Sequence, residues 1–353
     1  MEEDEGRKET DEILAEMERK IKEVYAQAEA EVAAKALDYM ERFELKDKKW
    51  RQWVAEGKKT PQEYAAWRQQ QLLMGERWET MRELLAQDYV NADKIAKSVI
   101  EGYMPEVYAV NFNYGMYEVE KNAGITTSFT LYDRQTVEKL LKGENEIIPP
   151  IGGVAAQAVR EGKIERWTEQ QIQSVMLQGI LQGESIPKIA KRLESVGETS
   201  HRAAIRDART ITTGVENAGK LDSYKRAEKM GIMCRKKWLA TLDGRTRHEH
   251  RLLDNQVAEI DEPFQSELGP IMFPGDPSAH PGNIYNCRCR TVCDIKGYSV
   301  DFTDLSQRNT DHFKYDSYEE WKNDKKSKSD PITKQEDIGE SIRESYIWKY
   351  RRG

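Results

Sequence analysis

In the first forty-odd residues the apolar positions fall three and four apart. Ile13, Leu14, Met17, Ile21, Val24, Ala28, Val32, Ala36 and Met40 make the series, with Glu, Lys and Arg between them. That period puts one apolar stripe on a helix and predicts an amphipathic helix from about Thr10 to Phe43, packed on a neighbour. Thr60-Pro61-Gln62-Glu63 reads as a helix start: threonine caps, proline suits the first turn, and Glu63 returns a bond to the cap. The helix it opens carries Tyr64, Trp67, Leu72, Trp78, Met81, Leu85, Tyr89 and Ile95, and is expected to reach about Tyr103 with a break near Asn91. Two long helices joined by a short turn predict an antiparallel hairpin or bundle.

From Pro105 the texture changes. Tyr108, Phe112, Tyr114, Tyr117, Phe129 and Tyr132 crowd together as core. A strand is expected within Ile125–Leu131 and a short helix from Asp133 to Leu141, before a breaker at Ile148–Gly153. Further helices are expected at Thr168–Leu181, Ile186–Val196 and Thr199–Met230. In the last, Arg202, Arg206, Arg209, Thr213 and Glu216 share a face, either as a network joining the next unit or as solvated surface. Arg235–Leu242 reads as a strand, Asp243-Gly244 as a turn and Thr246–Leu253 as a short helix. Beyond Asp294 the pattern is charged and loop-like, with Tyr315, Tyr318 and Trp321 among Lys and Asp runs. Ile338–Arg352 reads as a short aromatic, basic helix, either a docking element or a frayed end.

Composition narrows the function classes. The formal net charge is −7, so there is no global basic field for nucleic acid. A third of the residues are charged, yet eight Trp and sixteen Tyr supply enough large side chains for a core. The acidic start lacks a secretory signal pattern, and no window approaches ~18 apolar residues, so no membrane span and cytosolic synthesis are expected. In a reducing compartment the four cysteines are thiols or metal ligands before they are disulfides.

The chemistry gathers between Lys237 and Cys293. Three cysteines (Cys287, Cys289, Cys293), three histidines (His248, His250, His280) and the Pro/Gly-rich run Pro270–Gly282 fall there. Two readings stand. Cys287 and Cys289 with His250 or His280, and Cys293 as a further candidate, offer a structural zinc set. Alternatively the cysteines are small buried residues beside a turn, with His250 hydrogen-bonded to backbone or carboxylate and no cofactor at all. An enzymatic reading, a metal-dependent hydrolase or nuclease built on His248-Glu249-His250 with Asp243 and Asp276, matches no metallohydrolase spacing. Arg235, Lys236, Lys237, Arg288 and Arg290 are candidate contacts to double-stranded DNA, weak and sequence-independent if they converge on one face.

The ordered pieces resemble the phage head morphogenesis proteins of the Mu F type over about Ile172–Asp294. The pieces are a Gly-x-Ser turn (Gly183, Ser185), Thr-x-x-Glu (Thr213, Glu216) and Lys-x-Trp (Lys236, Trp238). There follow Asp-x-Arg-Thr-Arg-x-x-His (Asp243, Arg245, Thr246, Arg247, His250), Pro-Gly-Asp-Pro (Pro274–Pro277) and Asn-Cys-Arg-Cys (Asn286–Cys289). One departure is Leu253-Asp254-Asn255 where the family has Leu-Asp-Gly; asparagine tolerates positive φ, so the turn is expected to survive. The resemblance implies a structural minor capsid protein inside the virion head, present in the host cytoplasm during assembly. It implies association with the portal and other capsid proteins, and a role in assembly, DNA packaging or DNA exit. The fold expected is mainly α with a small α+β module: an N-terminal helical region (1–150), a head morphogenesis module (165–297) and a polar C-terminal tail (298–353). Trp238, Asp243, Arg245, Arg247, His250, Asp276, Asn286, Cys287 and Cys289 are expected to hold the module together.

Overall fold

A computed structural model describes residues 4–73, 76–134, 137, 170–172, 174, 175, 178, 186–298 and 311–327. The breaker at 148–153, most of the helix expected over 168–181, the Gly183/Ser185 turn and the aromatic basic end at 338–352 lie outside the described residues. The architecture is mainly helical with short antiparallel strands in the C-terminal part. The long elements are α1 (Glu5–Ala55), α2 (Pro61–Leu73), α3 (Glu76–Ala123) and α4 (Ile186–Lys229). Contacts divide the chain into two compact units: residues 18–99 with 153–205, and residues 1–17, 100–152 and 206–353. The helices α1, α3 and α4 contribute to both.

In the first unit, Ile21, Tyr25, Ala28, Val32, Ala36 and Met40 form the buried stripe of α1, as the periodicity predicts. The helix runs on past Phe43 because further aromatics extend the stripe. Phe43 and Trp50 stack on Trp67 of α2 with ring centroids 5.9 and 5.1 Å apart. The capping box forms as read: Glu63 N–H donates to Thr60 Oγ1 at 3.1 Å and Thr60 N–H to Glu63 Oε2 at 2.9 Å. Tyr25 donates to Asp93 and Lys35 pairs with Asp88 at 2.6 Å, so α1 and α3 run antiparallel. No break occurs at Asn91.

In the second unit, α3 continues through Pro105 instead of ending at Tyr103. Proline removes one helical N–H at a cost of about 3 kcal/mol. Burial of Tyr103, Val107, Tyr108, Phe112, Tyr114 and Tyr117 on the continuing helix outweighs it. The helix α4 likewise joins the two helices expected there into one. It approaches α3 closely at Gly219, where an added Cβ would lie 2.9 Å from the Tyr108 carbonyl oxygen. The expected strand after α3 shrinks to β1 (Ile125–Thr126), which pairs antiparallel with β7 (Asp311–His312).

The segment after residue 310 differs most from expectation. Tyr315, Tyr318 and Trp321 are buried, the latter two on the helix α7 (Tyr318–Ser327). Glu120 of α3, itself buried, accepts from Trp321 Nε1 at 2.6 Å, Lys325 Nζ at 2.9 Å and Thr127 N at 3.0 Å. Aromatic residues three apart are a helix face even when charges surround them, and here that face meets Tyr114 and Tyr117.

Asp93 gives a pH test of the helical unit. Burial raises its pKa from 3.8 to about 6, against the Tyr25 hydrogen bond, which lowers it. The folded chain therefore keeps a proton that the unfolded chain releases, and this contribution drains away as pH rises from 3.8 to about 6. Asp93→Asn removes that dependence, so denaturant midpoints should show the variant gaining roughly 1–3 kcal/mol on the parent across this window.

Candidate functional site: a thiol–imidazole cluster anchored to a helix

The C-terminal sheet has the order β3-β2-β6, with β2 (Ile232–Leu239) central, β3 (Val257–Glu259) and β6 (Arg290–Tyr298) antiparallel to it. A two-stranded ribbon, β4 (Phe264–Ser266) with β5 (Gly269–Ile271), and two short helices, α5 (His248–Leu253) and α6 (Pro281–Ile284), complete the region. Alternate residues of β2 point inward, which buries Trp238 fully. Trp238 is the centre of a core with Leu253, Phe264, Ile271, Ile284, Cys287 and Cys289.

The segment leading into β6 is held by side chains of α4. Thr213 Oγ1 donates to the Cys287 carbonyl at 2.8 Å, and Asn217 Nδ2 to the Cys289 carbonyl at 3.4 Å. Asn217 Oδ1 accepts from Thr291 N–H at 2.6 Å, and Thr210 Oγ1 from Asn286 N–H at 3.2 Å. Residues 210, 213 and 217 lie on one helix face, so one row of short polar side chains reads four backbone groups.

This positions both sulfurs against His250 of α5. Nδ1 lies 3.6 Å from Cys287 Sγ and 3.4 Å from Cys289 Sγ. The ligand atoms of the three residues all lie within 4.8 Å of one another, and all three side chains are buried. The two thiols titrate together. The hydrogen bond from Cys287 lowers Cys289 to about 5, with burial opposing and His250 assisting. The same bond, with burial, pushes Cys287 up. His280 does not join: exposed, it caps α6, its Nδ1 accepting from Gly282 N–H at 3.2 Å. Nor does Cys293, a free buried thiol on β6 that faces the Cys234 side chain and lies opposite Lys236 in the strand register.

Comparison with known proteins meets this geometry. Residues 170–292 match the family described as Phage Mu protein F like protein. The minor head protein GP7 of Bacillus phage SPP1 is 27% identical over 260 residues, covering 70% of this chain and 78% of that protein. Residues 170–292 are thus similar to the Mu F-like proteins. A further relative is the NAD(+)–arginine ADP-ribosyltransferase EFV of Enterococcus faecalis, 29% identical over 238 residues. That match takes in 66% of this chain and 46% of EFV, so the chain spans less than half of that relative. An uncharacterized protein of Haemophilus influenzae is 29% identical over 118 residues, 33% of this chain and 23% of that protein. No solved structure matches the chain.

Within residues 170–292 several motif residues hold loop backbone in place. Asp243 accepts from Arg245 N–H at 2.8 Å and takes a forked pair from Arg288 at 2.6 and 2.7 Å. The Arg288 hydrogen bonds are the chief reason its pKa falls well below the carboxylate range. Arg245 itself is 81% exposed. Arg247 donates to the Tyr285 carbonyl, tying the entry of α5 to the exit of α6. Asp276, buried, accepts from Met272 N–H at 3.0 Å and Ser278 N–H at 2.8 Å. Gly275, at φ 80°, brings the Pro-Gly-Asp-Pro loop against α4; an added Cβ would sit 2.6 Å from Gly214 N. Asn286 takes φ 52°, and Asn255, at φ 64°, makes the turn that the family's glycine would make.

The candidate DNA residues do not form a free basic face. Arg235 pairs with Asp294 at 2.5 Å, Arg288 with Asp243, and Arg290 with Asp4 at 2.5 Å. Lys236 is buried, donates to the Ile260 carbonyl at 2.9 Å, and is lowered to about 7 by burial. Lys237 is half-buried on β2. Thr210 and Asn217 escape sequence reasoning, although short polar residues in register with Thr213 on a long helix are the signal that marks them.

Thr213→Val keeps the shape of the side chain and leaves the buried Cys287 carbonyl without its partner. The expected loss is roughly 1–3 kcal/mol in urea unfolding. A neutral result would mean that α4 does not carry this segment.

Proposed function

We propose that this chain is a structural minor head protein, incorporated inside the phage head during assembly in the host cytoplasm. In this reading residues 165–297 are the head-morphogenesis module, 1–150 a helical region for protein–protein contact, and 298–353 its polar extension. Its partners are the portal and other capsid proteins, and assembly, DNA packaging or DNA exit is the step it serves. The observation that carries the reading is the kinship with a protein named as a minor head protein over most of both chains, together with the Mu F-like match.

The chemistry supports architecture over catalysis. Asp243 and Asp276 are engaged by arginine and backbone donors, and His250 faces two sulfurs inside an apolar shell. A metal-dependent hydrolase needs an ion with a position open to substrate, and these ligands are enclosed. The transferase activity in EFV's name belongs to that protein, of which this chain matches under half. The reading gives packaged DNA no contact through Arg235, Lys236, Arg288 or Arg290, which ion pairs or burial occupy.

The test is recovery of the chain from assembled heads. It should co-purify with portal-containing heads at low copy, and phage lacking it should yield fewer infectious particles. Heads that never contain it, or ADP-ribosyl transfer to arginine by the purified chain, would overturn the proposal.

A further inference from the structure

The cluster of His250, Cys287 and Cys289 makes more sense with an ion at its centre than without one. A neutral imidazole nitrogen presents one lone pair or one N–H, never both. Here a single Nδ1 faces two sulfurs at 3.6 and 3.4 Å, so one of the sulfurs has no full hydrogen bond to it. A cation between the three ligands satisfies one lone pair from each. The spacing agrees: zinc–sulfur bonds of about 2.3 Å and zinc–nitrogen bonds of about 2.0 Å give tetrahedral N···S edges of about 3.5 Å.

We propose that His250, Cys287 and Cys289 bind one zinc(II) ion, which cross-links α5 to the chain entering β6. Binding takes both sulfurs as thiolates, any thiol proton leaving to solvent, and two thiolates with a neutral imidazole cancel the charge of the dication. A neutral site suits its surroundings of Trp238, Leu253, Phe264 and Ile271, where net charge would be costly. Thiolates also select a soft cation over magnesium or calcium. Among the described residues no fourth side chain joins the group, so the fourth position falls to a ligand from outside these three side chains. The ion's role is structural, because α5, α6 and the three-residue strands are too short to hold one another. The proposal stands independently of the head-protein reading.

The full chain, purified under reducing conditions from zinc-supplemented cells, should carry about one zinc per chain by elemental analysis. Chelation should lower its melting temperature, and zinc, not magnesium, should restore it. Cobalt(II) added to the zinc-free chain should give thiolate charge-transfer bands together with the ligand-field bands of a four-coordinate site. Cys289→Ser and His250→Gln should lose the zinc. If either variant fails to fold, the cobalt spectrum of the parent chain decides. A parent chain with far less than one zinc, and a melting temperature indifferent to chelator and zinc, overturns the proposal, as does a cobalt spectrum without thiolate bands.

Discussion

The C-terminal sheet depends on one exchange: the side chains of Thr210, Thr213 and Asn217 take the place of a neighbouring strand. The chain from Asn286 to Thr291 has backbone donors and acceptors pointing at α4, and a buried backbone group without a partner is expensive. Asn217 both donates to the Cys289 carbonyl and accepts from Thr291 N–H, which is what a strand residue would do. Because the anchor is a helix, the segment is fixed in position as well as satisfied. The sulfurs, His250 and the Asp243–Arg288 fork take their places from that fixed line.

Around the anchor the same unit encloses charge. Asp4 pairs with Lys220 at 3.3 Å and with Arg290, while Arg7 pairs with Glu216 at 2.8 Å. Burial lowers the Lys220 pKa, but Glu118, Asp4 and Glu216 outweigh it and hold it above its ordinary value. Removing one member of such a set leaves a buried charge uncompensated, typically a loss of about 3–5 kcal/mol. The set joins the start of α1, α4 and β6, so the first residues of the chain and the Cys-x-Cys segment share one network. Glu120, with Trp321 and Lys325, does the same for residues 311–327.

Much of this was legible in the residue pattern. The α1 stripe, the Thr60–Glu63 cap, the mainly helical class and the positive φ at Asn255 follow from period, capping chemistry and the tolerance of asparagine for the left-handed region. Element ends were not legible. Pro105 and Gly197 are breakers by local propensity, yet α3 and α4 run through them because tertiary burial overrides propensity. On the α4 face read as a link to the Cys/His region, Thr213 makes the link, while Arg202 and Arg206 pair with Glu198 and Asp207 of their own helix; Thr210 and Asn217, which carry no charge to advertise them, complete it. Charges around Tyr318 and Trp321 likewise masked a helix face. The basic residues near the motif read as a patch only until the structure supplied their carboxylates, some of them distant in sequence, as Asp4 is from Arg290.

The helix α4 carries the Cys-x-Cys segment through Asn217. Native-state hydrogen exchange at the Thr291 amide measures it directly, since that N–H is bonded to Asn217 Oδ1 at 2.6 Å. The amide should exchange as slowly as the centre of α4, through the same large opening. In Asn217→Ala its protection should fall by an order of magnitude or more while α1 amides keep theirs. A Thr291 amide that exchanges at loop rates in the parent chain, or is equally protected in the variant, would contradict the claim.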